Sequence, residues 1–288
     1  MRMLVFGRNG QVAQALADLG GDSVTALGRA EADLMQPGAA AKAIDAHAPE
    51  IVVNAAAYTA VDKAESEGAA ARRLNTDAPA EMAAAAKARN IPFIHLSTDY
   101  VFDGAADRKF SEDAPTGPLN IYGATKLDGE HAVMAAHPGA VVIRTSWVFS
   151  EYGANFVKTM LRLGRERGAL SVVADQIGGP TAAADIASAT IAIAGKKHRG
   201  APGEGIYHFQ GAPAVSWAGF AEAIFTAAGM TVPVTPIETK DYSTPARRPL
   251  HTILDCAKIE RDFGLSQPDW RIDLARVIAK LNPREQTS

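Results

Sequence analysis

Leu4-Val-Phe6-Gly7-Arg8-Asn9-Gly10-Gln11-Val12-Ala13 is an apolar run that breaks into glycines and resumes with helical spacing. Glycine lets the chain turn sharply and come close to a pyrophosphate, and the free N–H groups of a following helix face that anion. Small Ala13 suits the point where helix and strand pack closely. The spacing Gly-x-x-Gly-x-x-Ala departs from the commonest dinucleotide fingerprint. Its place between a strand and a helix nevertheless meets the contextual test. Gly7, Asn9, Gly10, Gln11 and Val12 are therefore candidate cofactor contacts.

Working outward, short apolar runs alternate with alanine-rich helical segments. Leu4–Phe6, Ser23–Leu27, Ile51–Asn54, Phe93–Ser97 and Val141–Thr145 are predicted strands. Gln11–Leu19, Ala39–His47, Glu67–Arg89 and Gly123–Ala136 are predicted helices. This alternation predicts an α/β fold, a doubly wound parallel sheet covered on both faces. After about Phe149 the rhythm breaks. Helices are expected at Phe156–Glu166, Asp185–Ala194, Trp217–Ala228, Lys258–Phe263 and Ile272–Leu281, with strands at Leu170–Ala174 and Gly205–Gln210. The Asp185 helix and the Gly205 strand are expected to rejoin the large sheet. That gives a dinucleotide domain of 1–149 plus about 183–212, and a smaller, discontinuous α/β substrate domain of about 150–182 plus 213–288.

Composition narrows the class. With 288 residues, 47% hydrophobic and 21% charged, the chain is globular rather than disordered. A formal charge of −3 with scattered Lys and Arg argues against nucleic-acid or membrane-surface partners. Cys256 is the single cysteine, so no internal disulfide or cysteine metal cage forms. Met3–Phe6 is too short for a signal-peptide core, and no membrane span is evident. A cytoplasmic protein is expected.

The second strand ends at Gly28-Arg29, nineteen residues beyond Gly10. An acid there suits the ribose hydroxyl of NAD, whereas arginine suits a 2′-phosphate. Arg29, with Arg8 nearby, favours NADPH, and NADH stays possible. Asp33 and Leu34 are placed to border the adenine. The third strand ends in small residues, Ala56-Ala57-Tyr58-Thr59, and the fourth in Ser97-Thr98-Asp99-Tyr100. In an open parallel sheet all of these gather beyond the carboxyl ends of the strands.

Tyr122 and Lys126 stand one helical turn apart. A phenol titrates near ~10 in water, and an adjacent ammonium is expected to bring it down towards the working range. Such a pair moves a proton to or from a carbonyl or alcohol oxygen. Taken alone it also occurs on solvated helix faces; its company at the sheet edge favours chemistry.

With Thr98, Tyr122 and Lys126 identified, the chain resembles the extended short-chain dehydrogenases/reductases, and within them the dTDP-4-dehydrorhamnose reductase family. The matching text includes Asn54–Glu65, Ser97-Thr-Asp-Tyr-Val-Phe-Asp-Gly104, Pro118–Lys126, Arg144-Thr-Ser-Trp-Val-Phe149, Asn155–Leu161, Asp175–Thr181 and Ala246-Arg-Arg-Pro249. The resemblance implies a Rossmann sheet and hydride transfer to C4 of a dTDP-linked 4-keto-6-deoxy sugar. It implies Tyr122 as proton donor and Lys126 on the nicotinamide ribose, keeping the phenol acidic. It also implies Thr98 on the keto oxygen, Asp99, Tyr100 and Trp147 at the sugar, and Arg248 near the diphosphate. Asp62, Lys63 and Glu65 are expected to cap and pair on a helix surface, and His95 and His131 to be packed core residues. Some relatives link two subunits through magnesium held by glutamates; the corresponding Ala15 and Ala184 argue against a metal and for a monomer or weak homodimer. A nucleotide-sugar epimerase or dehydratase, or a non-catalytic NADP-binding regulatory subunit, stays open.

Overall fold

The computed structural model describes residues 1–105 and 108–281. The first half runs β1 (Met3–Phe6), α1 (Gln11–Gly20), β2 (Val24–Leu27), α2 (Ala39–His47), β3 (Ile51–Asn54), α3 (Val61–Ala64), α4 (Gly68–Arg72), α5 (Ala78–Ala88), β4 (Phe93–Thr98), α6 (Ile121–Ala136) and β5 (Val141–Thr145). The second half runs β6 (Val148–Phe149), α7 (Phe156–Arg167), β7 (Leu170–Val173), β8 (Ile177–Gly178), β9 (Thr181–Ala182), α8 (Ala183–His198), β10 (Gly205–His208), β11 (Val215–Ser216), α9 (Trp217–Ala227), β12 (Val234–Ile237), α10 (Ala257–Phe263) and α11 (Trp270–Leu281).

Six strands form one parallel sheet in the order β10-β5-β4-β3-β1-β2. The chain steps from β1 to β2 on one side, then returns to place β3 on the other. That reversal opens a crevice beyond the strand ends, where ligands of such sheets bind. Alternation along each strand divides the core. Met3, Val5, Ile51 and Val53 pack with α1 and α8 on one face, while Leu4, Phe6 and Val52 pack with α2, α5 and α6 on the other. Each such fully buried side chain contributes roughly 1.5–3 kcal/mol, and a strand covered on both faces accordingly reads as an unbroken apolar run, as in Met3–Phe6 and Ile51–Val53. The α/β architecture expected from the sequence is the one observed.

A second core gathers β7, α7, α9 and α11, with Phe220, Ile224 and Trp270 at its centre. Here β12 pairs in parallel with β7, a strand the sequence did not announce. Pro236 lies within it and leaves the ladder one donor short, which an edge strand tolerates.

The single helix expected at Glu67–Arg89 is interrupted by a π-turn at Arg73–Asp77. The turn lies against α6. A Cβ on Gly129 would lie 2.0 Å from the Asn75 carbonyl oxygen, so the two backbones touch through glycine. His95 is fully buried as expected. His131 is exposed on the outer face of α6, contrary to expectation, because the core-facing stripe of that helix is taken by Lys126, Glu130 and Val133.

Candidate functional site

The turn after β1 is held by Gly7 and Gly10. Gly7 has φ +106°, a region open to glycine, and a Cβ there would lie 2.8 Å from the Ala56 nitrogen. The Gly10 N–H donates to the Gly7 carbonyl at 2.8 Å. A groove of about 290 Å³ opens above this turn, lined by Gly7, Arg8, Asn9, Gly10, Arg29, Asp33, Leu34, Ala56, Ala57 and Thr59 among others. A turn that a side chain at Gly7 would fill leaves the backbone open to close approach, which is the fit a dinucleotide's pyrophosphate would need.

Three expected contacts point elsewhere. The Gln11 side chain turns to the second half of the chain: its Oε1 accepts from Ser150 and Asn155, and its Nε2 donates to the Val148 carbonyl. Val12 is buried in the core under α1. The Tyr58 hydroxyl donates to Glu67, and its N–H is taken by Asn75 Oδ1. Gln11 nevertheless lines the cavity next to this groove, whereas Val12 and Tyr58 line neither of the two.

At the second strand's end, Arg29 is exposed and lies 3.4 Å from Asp33. Arg8 pairs with Glu31 at 2.8 Å, and Glu31 also accepts the Gly28 N–H. Glu31 was missed in the sequence, although an acid just beyond β2 was there to be noticed. Its carboxyl is held below the usual range by the Arg8 hydrogen bond.

A second cavity, about 350 Å³, continues from Thr59 across the sheet edge. Thr98, Asp99, Tyr100, Tyr122, Trp147, Asn155 and Trp217 line it. Asn120 caps α6 by accepting the Gly123 N–H at 2.8 Å. Glu65 accepts the Ile121 N–H at 2.8 Å. Gly123 is required there, since a Cβ would lie 2.3 Å from the Tyr100 carbonyl oxygen. The start of the helix is thereby pressed against the Thr98–Tyr100 turn, and the rings of Tyr100 and Tyr122 meet edge to face at 5.7 Å.

Electrostatics in this cavity differ from expectation in one respect. Burial pushes the Tyr122 phenol up to about 12, a hydrogen bond with Thr98 opposes this, and the charge of Asp99 adds to it. The Lys126 amine does not hold the phenol down. It is committed to the Leu96 carbonyl at 2.6 Å, with His95 Nε2 at 3.4 Å. Burial draws Lys126 down to about 8, against the charge of Glu130. The Asp99 carboxyl, accepting from Thr98 at 3.0 Å, is raised by burial to about 6.

Trp147 has φ +46°, uncommon for a bulky residue, and stacks on Trp217 with ring centroids 3.4 Å apart. No sequence signal pointed to Trp217. Beyond it lies a cavity of about 700 Å³, floored by Phe156, Met160, Leu163 and Val172, with Tyr100, Tyr242 and Arg248 at its rim. Arg248 is held by Asp62, a residue to which the sequence assigned only surface pairing. The described residues hold no grouping of acids, histidines and cysteines suited to a metal ion. Ala15 is buried among the residues shared by α1 and α8, and Ala184 is exposed; neither side chain offers a ligand. Among the described residues no helix is long and apolar enough to cross a membrane.

The chain matches the family described as RmlD substrate binding domain over residues 1–282. It is 45% identical over 286 residues to the dTDP-4-dehydrorhamnose reductase of Sinorhizobium fredii, covering 96% of this chain and 97% of that protein. The crystal structure of a dTDP-4-dehydrorhamnose reductase from Clostridium acetobutylicum has a TM-score of 0.92 at 35% identity, covering 98% of this chain and 99% of that one. That of the Bacillus anthracis dTDP-4-dehydrorhamnose reductase, in complex with NADP, has a TM-score of 0.91 at 34% identity, covering 97% and 99%. A glycine turn after the first strand, a tyrosine–threonine pair and this likeness over nearly the whole chain lead to one conclusion: the chain belongs to the dTDP-4-dehydrorhamnose reductase family of oxidoreductases.

Proposed function

We propose that the protein reduces the C4 ketone of dTDP-4-dehydro-L-rhamnose to the alcohol of dTDP-L-rhamnose. The observation that carries this reading is the adjacency of Thr98 and Tyr122 in the cavity they share with Trp147, which meets the glycine-turn groove at Thr59. When bound, NADPH supplies the hydride; NADH remains a possible substitute. Gly7, Asn9 and Gly10 would hold the pyrophosphate, Arg8 and Arg29 a 2′-phosphate, and Ala56, Ala57 and Thr59 the path towards the nicotinamide. Support for NADPH comes from the arginines at the groove and from the NADP-bound relative.

Each group of the chain has a defined task. Tyr122 is fully protonated at neutral pH, since burial raises its pKa; it can give its proton to the alkoxide that forms at C4. Thr98 hydrogen-bonds the keto oxygen and fixes where charge develops. Lys126, near its own titration point, holds the nicotinamide ribose. Asp99, Tyr100 and Trp147 contact the sugar, and Arg248 meets the diphosphate. The apolar floor of the 700 Å³ cavity then receives the nucleoside. We assign residues 1–149 and about 183–212 to the cofactor, and about 150–182 and 213–288 to the nucleotide sugar. With alanine at positions 15 and 184, we assign a monomer or weak homodimer without metal.

The test is steady-state oxidation of NADPH and NADH with dTDP-, UDP- and GDP-linked 4-keto-6-deoxy sugars. Loss of nicotinamide absorbance is expected with the dTDP sugar. No consumption of either cofactor with any of them overturns the assignment. Oxidised cofactor that survives gel filtration supports an epimerase or dehydratase instead.

A further inference from the structure

Behind Lys126 lies a buried polar chain that the proposed reaction does not use. The Asn54 amide is oriented by its own backbone: Oδ1 accepts the Ala56 N–H at 3.0 Å. Its nitrogen therefore faces His95 Nδ1, at 3.0 Å. An amide nitrogen only donates, so Nδ1 must accept, and the ring proton of a neutral imidazole sits on Nε2. An imidazolium is excluded here, because His95 is fully buried with no carboxylate partner and an amine 3.4 Å away. The Nε2–H thus points at Lys126 Nζ, whose one strong bond is donated to the Leu96 carbonyl at 2.6 Å.

We propose that His95, oriented by Asn54, is a positioning residue for Lys126 that disfavours its ammonium in the free enzyme, so that at alkaline pH a proton is taken up as the cofactor binds. An amine can accept the Nε2–H; an ammonium would meet it donor to donor. The other groups facing Lys126 act in balance. On α6 these are the neutral Tyr122 phenol and the Glu130 carboxylate. From β5 the Arg144 guanidinium neutralises Glu130 at 2.7 Å, from β4 the Ser97 hydroxyl donates to the same carboxylate, and from β10 His208 lies beside Arg144. The Leu96 carbonyl accepts from the amine or the ammonium alike and the Glu130 charge, shared with Arg144, favours the ammonium, so the imidazole N–H is the contact at Nζ that opposes it.

This inference rests on the reductase reading only for the place of Lys126 beside the cofactor, and its test needs no sugar. NADPH affinity is titrated by nicotinamide fluorescence from about pH 6 to about pH 10, spanning the ordinary His and Lys ranges. The wild type is expected to lose up to tenfold in affinity per pH unit above an inflection that Lys126→Met abolishes. His95→Gln presents a carbonyl in place of the N–H, and the inflection should rise by about one pH unit, a tenfold change in proton affinity. An inflection unmoved in His95→Gln, or absent from the wild type, overturns the proposal. Independently of any variant, ¹⁵N shifts of the native ring should show a protonated Nε2 and a bare Nδ1; the opposite tautomer also overturns it. Failure of the sugar assay with an intact NADPH titration would count against the substrate assignment alone.

Discussion

Asp62 and Arg248, 186 positions apart, form two parallel bonds: Nη1 to Oδ1 at 3.0 Å and Nη2 to Oδ2 at 2.8 Å. Asp62 also accepts the Ala246 N–H. The guanidinium is thereby fixed at the rim of the large cavity, where its remaining N–H groups would meet a diphosphate. Arg248→Ala should raise KM for the nucleotide sugar by about tenfold or more, since a charge-assisted bond contributes about 1.5–3 kcal/mol. Because the diphosphate does not react, kcat should change far less. Initial-rate kinetics check this; an unchanged KM removes Arg248 from the site.

Tyr122→Phe should lower kcat about 10²- to 10⁴-fold, the usual contribution of a positioned proton donor. NADPH binding should survive, because the phenol is not part of the phosphate cradle. Retained turnover would remove Tyr122 from the chemistry.

Arg29 is exposed and only loosely tied to Asp33. Arg29→Ala should cost about tenfold in kcat/KM with NADPH and leave NADH nearly unaffected, since NADH lacks the 2′-phosphate. Equal losses with the two cofactors would count against the assigned role.

Asp99 gives a pH signature in stability. Its folded-state pKa is raised by burial to about 6, above an unfolded value near ~3.9. Folding therefore takes up a proton between these limits. The stability this group contributes is fully present below about pH 4 and is lost as pH rises through about 6. Asp99→Asn removes the charge at nearly constant volume, so it should melt several degrees above the wild type at pH 8, an effect of roughly 2–3 kcal/mol. The gap should close near pH 4. Parallel melting curves across that range would refute the linkage.

Gly129→Ala drives a Cβ into the Asn75 carbonyl oxygen, a backbone atom with no rotamer to yield. The cost should be roughly 1–3 kcal/mol or more, as for other overpacked contacts, read as a lower denaturant midpoint. Asn75 also grips Tyr58 and Thr125, so activity should fall with stability. A variant as stable as the wild type would show that α6 and the π-turn are not in fixed contact.

Legibility followed locality. The short unbroken apolar runs at Met3–Phe6 and Ile51–Val53 are a property of neighbouring residues, and they announced strands within about a residue of their observed ends. Gly7 and Gly10 were readable for the same reason, because a turn is made by the residues within it. The stacking of Trp147 on Trp217 was not readable, since Trp217 is only the first residue of an ordinary capped helix. Glu31 was visible as an acid yet was passed over, because Arg29 stood nearer the strand end.

Chain chemistry alone thus announced the parallel sheet and the glycine turn after its first strand, and picked out Thr98, Tyr122 and Lys126 as candidates, for backbone preference and side-chain period act over a few residues. Which groups surround them was settled by folding. The imidazole of His95 against Lys126, the carboxylate of Asp62 on Arg248, and the upward shift of Tyr122 arise from burial and from contacts between distant segments. A low-dielectric interior sets those charges, and no sequence spacing carries that information.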